Sequence, residues 1–289
     1  MRRALSCLFV VACSSPPATN LQTFSERLGA LVHIPDTFVL DLAGNRRLVG
    51  ESDPVAADAD PTFAIRLRLE VDGAAVRWPL AGRAISHARL LSDDHVAAIT
   101  PDGELLTVAL GTQAVTSLDQ GATGPIGASV DGRHLVYTKG EAPEFEVVAL
   151  DRTTGTVRAV TRDMAPCWSP AISEDGHRVV FASSHSGVPS LWTQRDDDPP
   201  QQLTNVGLLT EVGVEPELAP YPDGPSAMLL AANRLAFATP ASVVVMDLDG
   251  RVVDTVVGAR APHWVRPGAV LGVLLDGRVL SRPVPGARR

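Results

Sequence analysis

The sequence lacks the features that would place it in most functional classes. Its 289 residues contain three cysteines, at 7, 13 and 167, too few for a disulfide framework. Basic residues are in deficit: 25 Lys and Arg against 33 Asp and Glu give a net charge of −8 and a pI near 5.3, so nothing neutralises a phosphate backbone. No nucleic-acid partner is expected. Catalytic signatures are missing: there is no Gly-x-Ser-x-Gly elbow, no His-Glu-x-x-His helix, no Cys-x-x-Cys pair and no Gly-x-x-x-x-Gly-Lys loop. From about residue 30 onward no apolar pattern of period 3.6 persists beyond two turns. With 45% hydrophobic and 20% charged residues, the chain is nevertheless too apolar for disorder and is expected to fold as a globular domain.

The N-terminus reads as an address. Arg2 and Arg3 form a positive n-region, and residues 4–12 form an apolar stretch of h-region length, about half a membrane span. The stretch ends in Val10-Val11-Ala12-Cys13, which resembles the bacterial lipobox, where a cysteine thiol accepts a diacylglyceryl group before cleavage. Residues 1–12 are then a signal peptide, Cys13 the lipidation site, and residues 13–30 an acylated tether and linker beginning Ser14-Ser15-Pro16-Pro17. The competing reading is an ordinary secretory signal cleaved near Ala12 or Ala18. Cleavage before Cys13 removes Arg2, Arg3 and Cys7, leaving a more acidic chain in which Cys167 has no intramolecular partner. Several acyl chains exceed the two signals that stable membrane attachment needs. The lipobox resemblance, with Ser14 after the cysteine, implies a bacterial outer membrane location facing the periplasm.

Residues 31–289 read as one all-β domain. Short runs rich in Val, Leu, Ile and Thr alternate with turn signals, after a single helical turn expected at residues 23–29 from the spacing of Thr23 and Glu26. Asp-Gly pairs at 72, 102, 131, 175, 223, 249 and 276 predict tight reversals of type I′. The segment from Gly127 to Thr138 is echoed from Ala171 to Ala182, and the following strands align, so one repeat holds four strands. Such units cover their faces by radial stacking, which makes the expected fold a β-propeller of four-stranded antiparallel blades. We divide it at residues 52–84, 85–121, 122–163, 164–206 and 207–258, with 31–50 and 259–285 joined in a sixth, mixed blade. Five to seven blades fit the pattern.

Within 164–206, Trp168-Ser169-Pro170, Ser173-Glu174-Asp175-Gly176, the strand Val179 to Ser183, Gly187, Leu191-Trp192 and Gln202-Leu203-Thr204 resemble the TolB-type propeller repeat. Ala171 to Glu174 intervene between Ser-Pro and Asp-Gly, a departure from that repeat. The resemblance covers the propeller repeats alone, without the family's N-terminal α/β domain. It implies a broad face or central funnel that holds an envelope protein or peptide, such as a peptidoglycan-associated lipoprotein.

Candidate chemistry is sparse. The seven histidines, His33, His87, His95, His134, His177, His185 and His263, never fall at short ligand spacing, and a structural role is expected for them. Asp196-Asp197-Asp198 reads as a solvated turn in preference to a calcium loop. Trp168 and Trp264, in the echoed Ala-Pro-x-Trp segments, either pack between blades or form an aromatic platform. Residues 208–225, with Glu211 and Glu215, form the longest unpatterned loop, a recognition surface or a spacer. The candidate ligand or partner surface is therefore Trp168, Trp264, His263, Glu211 and Glu215. The expected role is a monomeric, non-catalytic binding scaffold without cofactor or metal. The alternatives are a lactonase-, cyclase- or glycosidase-like enzyme with its site at the central funnel, and a surface adhesin.

Overall fold

The structure, a computed structural model, describes residues 37–52, 65–92, 94–140, 144–162, 166–187, 190–204, 228–238 and 242–286. Cys13, the signal and tether, the expected helical turn at 23–29, His33 and the 208–225 loop with Glu211 and Glu215 lie outside the described residues.

Among the described residues all extended regular structure is strand, in six antiparallel sheets. The first contains β1 (Thr37–Ala43), β2 (Arg46–Ser52), β3 (Ile65–Val71) and β4 (Ala74–Val76), with the short β5 (Ala84–Ile85) also pairing with β3. The second contains β6 (His87–Leu90), β7 (His95–Ile99), β8 (Leu105–Ala109) and β9 (Val115–Asp119). The third contains β10 (Gly127–Ala128), β11 (His134–Lys139), β12 (Glu146–Asp151) and β13 (Thr156–Ala159). The fourth contains β14 (Cys167–Ile172), β15 (Arg178–Ser183), β16 (Ser190–Arg195) and β17 (Gln201–Gln202). The fifth contains β18 (Leu229–Ala231), β19 (Arg234–Ala238), β20 (Ser242–Asp247) and β21 (Val252–Val257). The sixth contains β22 (Arg260–Arg266), β23 (Val270–Leu275) and β24 (Arg278–Pro283). The first strands of the sheets meet: β1 touches β6 and β22, β10 touches β14, and β18 touches β14 and β22. The sheets thus form a ring of six blades about a common axis.

Radial stacking explains the residue pattern. The middle strands are covered on both faces, so β11 buries Leu135, Val136 and Tyr137 in succession and β20 buries Val243, Val244 and Val245. The outer strands face water and leave Val115, Val157 and Val252 exposed. Five seams are filled by apolar clusters, beginning with Leu48, Leu69, Trp78 and Val96 between blades 1 and 2. Each fully buried Leu or Val contributes roughly 1.5–3 kcal/mol. At the sixth seam β1 lies directly against β22.

Two expectations need correction. Residues 31–50 and 259–285 do not share a blade: β1 and β2 belong with β3 and β4, and the sixth sheet contains three described strands. The reason is the unbroken β2–β3 register from Arg46↔Val71 to Ser52↔Ile65, which places Leu48, Leu67 and Leu69 in one core. The ring closes by packing of β1 on β22. The Asp-Gly turns, moreover, are not all of type I′. Asp72-Gly73 and Asp276-Gly277 have positive φ at both residues, but at 102, 131, 175 and 249 only the glycine does. In those turns the glycine N–H donates back to the residue three before it, Ser129 and Ser173 in the repeat pair, and the aspartate accepts the N–H two residues on at 131, 175 and 249. The aspartate side chain does the work that a second left-handed residue would do in a type I′ turn. Asp223-Gly224 lies outside the described residues.

Candidate functional site

The axis opens at one end into a cavity of about 470 Å³, within the range of small-ligand pockets. Five of the six first-strand regions line it, namely those of β1, β6, β10, β18 and β22. Its walls mix apolar residues, Leu42, Leu90, Leu230 and Trp264 among them, with polar ones such as Asn45, Ser92 and Ser129, and Val265 stands at its edge 53% exposed.

Four charged residues stand among this lining, Arg46 and Asp94 paired with each other and Asp41 and Arg89 on the first strands of blades 1 and 2. Asp41 follows a β-bulge between Val39 and Asp41 in β1, and bulges commonly re-aim a side chain beside a site. Its Oδ1 accepts the Leu42 N–H at 2.8 Å, and its Oδ2 accepts the Leu90 N–H of the next blade at 2.8 Å. Arg89, 8% exposed, donates from Nη1 to the Ile126 carbonyl at 3.2 Å, which ties blade 2 to blade 3. That is its one hydrogen bond among the described residues. Burial pushes the Asp41 pKa up, opposed by the Arg89 charge, the two backbone N–H groups and His263. Burial pushes the Arg89 pKa down, opposed by Asp41. The pair is close enough to interact but is not joined by a hydrogen bond, so the remaining guanidinium donors are unspent.

His263 and Trp264 reach the same cavity from β22, a strand with register shifts on both sides of the pair and a positive φ at Ala261. Burial lowers the His263 pKa, against the Asp41 charge and the Ala261 carbonyl, and so favours the neutral ring. Its Nδ1 is buried without a partner, and a Cβ on the facing Gly272 would sit 2.2 Å from the ring. The Trp264 indole donates to the Leu229 carbonyl at 3.4 Å.

Trp168 and the remaining sequence candidates among the described residues lie away from the cavity. Trp168 packs on the blade 4–5 cluster and Trp264 on the blade 5–6 cluster, so they approach blade 5 from its two neighbours and do not form one platform. Asp196, Asp197 and Asp198 occupy an exposed turn, where Asp196 Oδ1 lies 2.6 Å from His177 Nδ1. Cys167 is fully buried and burial raises its pKa, leaving no reactive thiolate. Asp41 and Arg89 escaped the sequence reading. The available signal was a single charge inside each of two apolar strands, at Val39-Leu40-Asp41-Leu42 and Ala88-Arg89-Leu90-Leu91.

No protein-family model matches the chain. It is 25% identical over 235 residues to an uncharacterized protein of Agrobacterium fabrum, covering 70% of this chain and 78% of that one. Among solved structures, TolB from Acinetobacter baumannii superposes with a TM-score of 0.53 at 14% identity over 84% of this chain, which spans 65% of that protein's length. A protein assigned as TolB in Agrobacterium tumefaciens gives 0.53 at 15% identity, covering 75% of this chain and 79% of that one. The fold is a TolB-like six-bladed β-propeller. An oligogalacturonate lyase in complex with manganese is also similar, with a TM-score of 0.50 at 12% identity, covering 80% of this chain and 68% of that one. Among the described residues no group of three or more His, Cys, Asp and Glu is arranged for a metal ion.

Proposed function

We propose that this protein is a lipid-anchored component of the bacterial envelope whose propeller is a non-catalytic scaffold for a protein or peptide partner, docked at the axial cavity. The observation that carries the reading is a funnel of mixed apolar and polar lining with one buried, incompletely bonded guanidinium, where no group of three or more His, Cys, Asp and Glu is arranged for a metal ion among the described residues. Similarity in fold to TolB supports it, as does the lipobox at Cys13. The partner is an envelope protein of the peptidoglycan-associated lipoprotein kind, and the outer membrane facing the periplasm is the proposed address.

Replacing Cys13→Ser tests the anchor: the variant is expected in the soluble fraction with the wild-type β spectrum, and a variant still pelleting with membranes contradicts it. Crosslinked recovery of the wild-type protein from native envelopes tests the role, with a stoichiometric protein partner expected. The alternative enzyme reading rests on the similarity to the manganese-bound lyase. It requires manganese to raise the melting temperature, whereas the scaffold is expected to melt at the same temperature with and without the metal.

A further inference from the structure

Arg89 is a buried cation on the wall of the axial cavity, with a single hydrogen bond among the described residues. Its guanidinium has five N–H donors, of which one is hydrogen-bonded among the described residues, and it lines a cavity shared with Leu42, Leu90, Leu230 and Trp264. A buried ion with unspent donors is costly unless something accepts from them. Asp41 does not: its oxygens accept the Leu42 and Leu90 N–H groups, and it balances Arg89 only through space. At the rim Arg46 and Asp94 are paired with each other, which leaves Arg89 as the anion-binding group of the cavity.

We infer that the axial cavity binds a carboxylate at the end of an apolar chain, with Arg89 as its fork-shaped partner. A planar monoanion matches a guanidinium in charge and geometry. A phosphate dianion does not, because Asp41 already offsets part of the single positive charge. The apolar stem rests on Leu42, Leu230 and Trp264, whose indole N–H is already committed to Leu229. This rests on the reading of the cavity as the partner-docking end and names what enters it: the C-terminal carboxylate of a polypeptide, or a free carboxylic acid of the same chemistry.

The test uses the full-length protein and a fluorescent hexapeptide, Ala-Ala-Ala-Ala-Leu-Leu, as the free acid and as the C-terminal amide, with N-acetyl-leucine as competitor. The free acid is expected to bind at least about tenfold more tightly than the amide. Arg89→Lys keeps the charge but loses the fork, and should weaken the acid by about tenfold while leaving the amide unchanged. Should that buried replacement fail to fold, Val265→Glu, at an exposed rim position, adds a like charge and should weaken the acid alone. A peptide binding far more tightly than N-acetyl-leucine assigns the carboxylate to a polypeptide end; equal affinity assigns it to a free acid. Equal binding of acid and amide, or saturable binding of neither, overturns the proposal. Recovery of an envelope partner alongside that result would leave the scaffold reading standing without it.

Discussion

His87 opens β6 with its ring packed against Gly124 and its Nδ1 buried without a partner. Burial lowers its pKa from 6.5 to about 4. Between those values the unfolded chain binds the additional proton, so the stability present above pH 6.5 is lost as the pH falls toward 4. The full loss is about 3 kcal/mol. Urea unfolding near neutrality and near pH 4 should show this difference in wild type and a smaller one in His87→Leu; identical pH dependence would place the acid sensitivity elsewhere. Gly272 is the corresponding close approach at the cavity. Gly272→Ala should destabilise by about 1–3 kcal/mol, read as a lower melting temperature, because the His263 ring must move. At this scale the sequence was only half legible. His263 and Trp264 were visible as candidates through the echo of Ala165-Pro166-Cys167-Trp168. Asp41 and Arg89 were not, since their significance comes from β1 and β6 meeting between blades 1 and 2.

The repeated turns show what local sequence can and cannot say about an element. Asp-Gly correctly marked reversals at all six described positions, yet four have only the glycine left-handed, and in three of these the aspartate accepts the N–H two residues on. In blade 4 the Ser173 hydroxyl bonds to Asp175 and accepts the Arg178 N–H at 2.9 Å. Ser129 does the same in blade 3, with the His134 N–H at 2.9 Å. Ser173→Ala should therefore cost about 1 kcal/mol in chemical unfolding, and a neutral result would make the hydroxyl incidental. The blades from 85 to 258 were legible because each keeps its strands consecutive. Blade 1 was not, because residues 53–64 separate β2 from β3 and the register joining them depends on matched alternation in Arg46 to Ser52 and Ile65 to Val71.

At the scale of the whole molecule, six blades and a closed ring followed from the repeat, while the mode of closure did not. Packing of β1 on β22 places the two sequence-distant ends of the propeller, and with them Asp41 and His263, at one side of the cavity. The seam between blades 6 and 1 thereby brings Asp41 and His263 to the cavity. A partner entering the funnel would touch this seam and the rim at Val265, and not the outer strands where Val157 is 44% exposed.

That distinction gives the most direct measurement. A photo-crosslinking amino acid is placed at position 265 or at position 157 of the full-length protein in native envelopes, and the adducts are compared. A scaffold docking its partner at the axial cavity yields one discrete protein adduct from 265 and none from 157. No adduct from 265, or the same adducts from both positions, would contradict it.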